Sequence, residues 1–156
     1  MQADDRVVNL TLPGFDAEAT ADGCVFDEDA AIHAVSFFSD YLHHVKGSHA
    51  GEPFDLEDWQ IALVATTFGW KRPDGSRRFR TVYLEVPRKN GKSTLAAGIA
   101  LYLLFMDGEP GAEIYSAAAE REQASLVFDV ARQMVETDDV LRKHSQTYRR
   151  SIVLKN

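Results

Sequence analysis

Cysteine is nearly missing from this chain. Cys24 is the one cysteine in 156 residues, which excludes an internal disulfide and any zinc site built from cysteines. The natural compartment for such a chain is reducing and cytoplasmic. Long hydrophobic runs are missing too. The longest, Leu95 to Met106, falls well short of the roughly 20 apolar residues that a membrane helix needs, so no membrane partner is expected. The opening residues, Met1-Gln2-Ala3-Asp4-Asp5, are polar and acidic and do not read as a secretory signal. Positive charge is in deficit: the formal net charge is −7. That argues against a general nucleic-acid coat protein but leaves room for a local basic surface. Neither internal repeats nor low-complexity segments occur. What remains is a chain long enough for one ordinary domain with a real core, and at 45% hydrophobic it is not a disordered chain.

Along the sequence, residues 1–25 show little periodicity and are punctuated by Pro13, Gly14 and Gly23, which predicts an extended arm. From Asp27 the pattern turns helical. Ile32, Val35, Phe38, Tyr41, Leu42 and Val45 share a stripe, with Asp27 or Asp29 as cap and Gly47 as stop. A second helix is expected after Phe54, capped by Asp55 with Asp58 as its capping-box partner, and Leu56, Trp59, Leu63, Val64 and Phe68 facing inward. The tight turn Pro73-Asp74-Gly75-Ser76 separates Phe68–Lys71 from a β-rich run, Arg78–Leu84. Further on, Leu95–Met106 reads as a helix buried on both sides. Ala112–Ala117 reads as a second strand, parallel to the first because a helix joins them. Arg121–Val135 reads as a helix and Thr147–Leu154 as a third strand. The fold class this implies is α/β: a parallel sheet flanked by helices, with a helical N-terminal region.

The chemistry concentrates where the first strand meets the Leu95 helix, in Val86-Pro87-Arg88-Lys89-Asn90-Gly91-Lys92-Ser93-Thr94. Strand, short basic loop and helix is the order that triphosphate binding needs, because loop and helix N–H groups converge on phosphate oxygens. Gly91, Lys92 and Ser93 match the end of the Walker A pattern G-x-x-x-x-G-K-[ST], while Val86 stands where its first glycine would be. In that reading Lys92 reaches the β- and γ-phosphates, Ser93 holds Mg²⁺ through its hydroxyl, and Gly91 lets the backbone approach. Asn90 is the residue expected to tolerate a left-handed turn. Arg88 either contacts the γ-phosphate or, like Lys89, is a solvated loop cation. Ser93 also fits a plain N-cap.

Other constellations are less specific. A Gln at position 60 could read an adenine edge with both halves of its amide, but the pattern favours Trp59 on the core stripe and Gln60 on a wet face. Lys71, Arg72, Arg77, Arg78 and Arg80 flank one turn; a solvated protrusion is the ordinary outcome, a phosphate backbone or a neighbouring subunit the alternative. His33, His43, His44 and His49 match no ligand spacing, and the adjacent pair cannot share a helix face. Ser116-Ala117-Ala118-Ala119 lies at the end of the second predicted strand, where small residues serve either packing or close approach.

From about Phe26 onward the chain resembles the N-terminal ATPase part of tailed-phage terminase large subunits. The resemblance is carried by the loop Val86–Thr94 together with Phe54-Asp55-Leu56-Glu57-Asp58-Trp59-Gln60, Phe68-Gly69-Trp70-Lys71-Arg72, Ile114-Tyr115-Ser116-Ala117-Ala118 and Gln123-Ala124. It implies a phosphate-loop NTPase domain over 26–156, with ATP and Mg²⁺ as cofactors and ATP hydrolysis coupled to packaging of double-stranded DNA. It also implies a portal protein and a small terminase subunit as partners, homo-oligomerisation in the full motor, and the cytoplasm of a phage-infected or lysogenic bacterium as the setting. Gln60 becomes the adenine-reading residue, and Arg88, Lys89, Asn90, Gly91, Lys92, Ser93 and Thr94 take the loop's roles. The family's apolar strand ending in Asp-Glu, which supplies the catalytic carboxylate, has no match here, and neither does its nuclease domain. The expectation is a fragment, split gene or prophage remnant that holds nucleotide and hydrolyses it very slowly alone. The rival readings are a non-hydrolysing nucleotide- or partner-binding module and another phosphate-loop ATPase such as a helicase.

Overall fold

A computed structural model of the protein describes Val7 and residues 10–155. The chain packs as two units, Met1–Ser39 with Asp55–Glu85, and Asp40–Phe54 with Val86–Asn156.

In the first unit, β1 (Val25–Phe26) leads into helix α1 (Glu28–Tyr41), whose last two residues fall in the second unit. Asp27 is the cap, its Oδ1 accepting from the Ala30 N–H at 3.0 Å. Ala31, Ala34, Val35, Phe37 and Phe38 are the buried stripe of α1. Helix α2 (Asp58–Gly69) buries Ile61 through Ala65 and Phe68. Its cap differs from the expected one. Glu57 is the N-cap, and the Gln60 side chain three residues on accepts from the Glu57 N–H at 2.9 Å. The chain enters α2 two residues later than an Asp55 cap requires, because Glu57 is still extended and forms the reciprocal capping box with Gln60. Gly69 ends α2 where no side chain fits: a Cβ there would stand 2.5 Å from the Phe26 ring and 2.9 Å from Ala31 Cβ. The next residues, β2 (Trp70–Lys71), pair antiparallel with β1, Phe26 opposite Trp70 and Val25 opposite Lys71.

In the second unit, α3 (Lys92–Phe105) packs against α4 (Arg121–Thr137). Leu95, Ala97, Leu101 and Tyr102 from one helix and Val130, Ala131, Met134 and Val135 from the other are buried. Ala97 and Gly98 are small buried residues of α3. Asp138 then caps α5 (Asp139–His144), accepting from Leu141 N–H at 2.8 Å. The α5 C-terminal carbonyls receive a cation, Lys155 Nζ donating to Lys143 O at 3.0 Å.

Three expectations are corrected here. The structure mixes helices and strands, but the parallel sheet is not formed among the described residues: its ladders are two antiparallel pairs, β1–β2 and β3–β4. A strand exists only by pairing, and residues 79–87 and 112–118 run without a ladder partner. The predicted third strand is instead a hairpin, β3 (Ser145–Thr147) and β4 (Ile152–Leu154), closed by the Tyr148 N–H to Ser151 O bond at 2.8 Å. A single strand is ruled out because Tyr148–Ser151 closes a four-residue turn. Finally, α3 begins at Lys92 rather than Leu95. It is buried mainly on one side, with Ala96 exposed and Leu103–Phe105 half-buried, since no sheet lies across its other face among the described residues.

Candidate nucleotide site

The basic loop turns into α3 through two left-handed residues. Gly91, the N-cap, has φ 67° and ψ 12°, and Lys89 has φ 70°. Asn90, expected to carry the left-handed turn, does not. Its side-chain amide donates instead to Pro87 O at 3.3 Å, bracing the loop from inside. A lysine at positive φ costs about 1 kcal/mol more than glycine there. Nothing in the composition of the loop signals that cost, because the missing first glycine points to Val86 instead.

Lys92, Ser93 and Thr94 are the first three residues of α3. Helix geometry leaves their N–H groups without intrahelical partners, and the first bond of the helix runs from Leu95 N–H to Gly91 O at 2.9 Å. Three unpaired donors and the positive end of the helix dipole thus face the loop. Ser93 is the second helical residue, so its hydroxyl is not the cap; Gly91 is. The Lys92 ammonium bends back over the loop and donates to Val86 O and, at 2.9 Å, to Pro87 O. The sequence gives no sign of these two acceptors, since backbone oxygens leave no signature in residue identity. Arg88, Lys89, Lys92 and Ser93 are exposed, and Arg88 and Lys89 form no ion pair among the described residues.

Gln60 lies in the other unit, and its environment reverses the expectation. It is 4% exposed, whereas Trp59 is half-buried with its indole N–H on Glu57 Oε2 at 2.7 Å. Gln60 lies in the row Gln60, Val64 and Phe68, one helical repeat apart and all buried, so position 60 faces the core. Gln60 Oε1 is already engaged in the cap.

The turn at 73–76 is as expected. Gly75 has φ 80°, and the Ser76 N–H donates to Asp74 Oδ1 at 2.9 Å. The Ser76 side chain and backbone, with Arg72 and Arg80 nearby, hold the Asp74 carboxyl below the usual carboxylate range. Arg78, expected as a solvated or phosphate-gripping cation, is turned inward. Its guanidinium donates to Ala17 O at 2.6 Å, to Thr20 Oγ1 at 2.8 Å and to Thr20 O, and stacks over Trp70 and Phe79. Elsewhere, Tyr115 OH donates to Glu113 at 2.8 Å, which raises the phenol's pKa. Ser116 Oγ donates to Ala124 O at 3.0 Å, tying residue 116 to α4.

The family described as "Terminase large subunit, ATPase domain" matches residues 58–155, and the chain belongs to that family. It is 30% identical over 110 residues to the large terminase subunit of Enterobacteria phage HK97, an alignment covering 70% of this chain and 21% of that protein. The crystal structure of the HK97 bacteriophage large terminase superposes with a TM-score of 0.66 at 25% identity, covering 79% of this chain and 24% of that one. The chain thus spans about a fifth of the length of the curated relative. No helix among the described residues is long and apolar enough to cross a membrane.

Proposed function

We propose that this chain is the nucleotide-binding part of a terminase large subunit, and that it holds Mg²⁺–ATP on the loop Val86–Thr94. The observation that carries the reading is the turn itself. Left-handed Lys89 and Gly91 deliver the chain into α3 so that Lys92, Ser93 and Thr94 occupy its first turn. A triphosphate fits that donor set: unpaired N–H groups, an exposed ammonium, a hydroxyl and a further guanidinium, with no carboxylate in the loop.

In this reading the backbone N–H groups of Gly91–Thr94 cradle phosphate oxygens. Lys92 would exchange the Val86 and Pro87 carbonyls for a stronger, charged acceptor. The Ser93 hydroxyl would hold Mg²⁺, and Arg88 would neutralise charge at the γ-phosphate. ATP supplies the free energy of phosphoryl transfer; the residues of the loop bind it and orient it. Taken by itself, Gln60 is proposed as an adenine-edge reader that would act through its amide N–H groups, because its oxygen is engaged in the cap of its own helix. Within residues 1–156 no apolar strand ends in Asp-Glu, so we assign to this stretch nucleotide binding with very slow turnover by itself. By the same family membership, the parent activity is ATP-driven packaging of double-stranded DNA, with portal and small terminase subunits as partners and a homo-oligomeric motor.

Calorimetric titration of the chain with Mg²⁺–ATP tests this reading. Saturable binding is expected, weakened at least about tenfold in Lys92→Ala, or about 1.4 kcal/mol. Absence of binding by the folded chain would overturn the reading.

A further inference from the structure

Packing does not fix the shape of the loop ahead of α3. Residues 87–93 are exposed, and Lys89 is left-handed without a glycine's freedom. Two polar side chains hold the loop instead, and they converge on one atom. Pro87 O accepts from Lys92 Nζ at 2.9 Å and from Asn90 Nδ2 at 3.3 Å. A carbonyl oxygen has two lone pairs, so both donors fit. Their attachments differ. The ammonium belongs to α3 and also bonds to Val86 O. The Asn90 amide spans residues 87 to 90, across Arg88 and Lys89, and so closes the turn that contains the left-handed lysine.

Sharing an acceptor matters only when one donor moves. An ammonium prefers a charged phosphate oxygen to a carbonyl; a neutral amide gains much less from that exchange. Lys92 is therefore the donor that a triphosphate draws away, just when the turn must keep its shape. A turn left with no side-chain donor would relax, because the left-handed Lys89 is unfavourable by itself. Asparagine suits the position: aspartate there would have no donor and would repel both the carbonyl and the phosphates. Positive φ is not the reason for it, since Lys89 and Gly91 carry that conformation.

We propose that Asn90 is a positioning residue of the nucleotide site. It shares Pro87 O with Lys92 before nucleotide binds and keeps that carbonyl when Lys92 turns to the triphosphate. The proposal rests on the nucleotide reading above. Its consequence is asymmetric. Before binding, Lys92 compensates for a lost Asn90 amide; after binding it does not. Loss of the amide therefore falls on the bound state and reads out as affinity.

The test pairs Mg²⁺–ATP titration with carbonyl carbon NMR of the full chain, the Pro87 carbonyl being observed through the Arg88 N–H. Each hydrogen bond accepted moves a carbonyl resonance downfield. Without nucleotide, Asn90→Leu and Lys92→Ala should each move the Pro87 signal upfield. With saturating Mg²⁺–ATP, Asn90→Leu should lie upfield of the parent, and its affinity should be about fivefold weaker, the worth of one ordinary hydrogen bond. Asn90→Ala repeats both measurements if Asn90→Leu does not fold. A merely structural role would lower stability without linking the Pro87 signal to nucleotide. The proposal is overturned if the Pro87 signal ignores the Asn90 substitutions, or if the bound parent and bound variant coincide. Unchanged affinity in the Asn90 variants overturns it alone and leaves the nucleotide reading standing. A parent chain that binds no Mg²⁺–ATP overturns the nucleotide reading and the proposal with it.

Discussion

Two basic segments of this chain, 70–80 and 86–94, contain similar residues and use them in opposite ways. In the loop, the Lys92 ammonium bonds, among the described residues, to carbonyls five and six positions behind it. In the hairpin, Arg78 bonds to residues 58 and 61 positions away. A cation whose partners are local can let go of them at little cost to the fold. One whose partners are distant in sequence holds separate segments together. The comparison shows why an arginine next to a turn is poor evidence of function until its partners are known, and why a lysine in a loop can be better evidence than its exposure suggests.

The sharpest way to break this contrast is to remove each cation. Arg78→Ala should destabilise the first unit by about 2–3 kcal/mol, the sum of lost charged hydrogen bonds and stacking on two rings. Denaturant melts should show it as a lower midpoint. Lys92→Ala should leave the same midpoint within about 0.5 kcal/mol while weakening Mg²⁺–ATP. If Lys92→Ala proves the more destabilising of the two, the distinction between local and distant partners fails. Next in size come the left-handed residues. Gly91→Ala should cost about 1–2 kcal/mol and Lys89→Gly should recover up to about 1 kcal/mol, because only the second exchange removes a Cβ from positive φ. Melting shifts of opposite sign, the Gly91→Ala shift the larger, would sharpen the account of the loop; a destabilised Lys89→Gly would contradict it. The smallest effect concerns pH. The Asp74 carboxyl is held down by Ser76, so the folded state binds that proton less readily than the unfolded one. Its contribution is therefore present above the ordinary aspartate value of about 3.9 and is lost as pH falls through the lower folded value. Carboxyl NMR should find a midpoint below the ordinary one, rising towards it in Ser76→Gly.

Helices were the most legible part of the fold. Arg121–Val135 was expected and α4 spans Arg121–Thr137, because its apolar residues recur at helical spacing with polar residues between them. The 73–76 turn was legible for a similar reason, since Pro-Asp-Gly-Ser is local chemistry. Pairing was not legible. Strand-like residues at 79–84 and 112–117 have the composition of strands, but a ladder depends on partners that composition does not name. Gln60 illustrates the same limit inside the candidate site. Its identity was legible and its surroundings were not, because a polar residue is ordinarily placed on the wet face, whereas position 60 falls in the buried row with Val64 and Phe68. The phosphate loop stands out by its Gly-Lys-Ser and its flanks. The way it turns, with Lys89 rather than Asn90 left-handed, is a property of the backbone that no residue advertises.

Residues 112–118 carry strand-like side chains without a ladder, with Tyr115 81% exposed. In a test tube such a segment is a template to which another chain can add. The formal net charge of −7 opposes that addition by mutual repulsion. That repulsion acts only over the Debye length, about 10 Å at 0.1 M salt and about 3 Å at 1 M. This chain should therefore keep best in dilute, low-salt buffer well above its isoelectric point near 5.2. Concentrated salt and mild acid, often used to settle a troublesome preparation, would here promote the haze they are meant to clear.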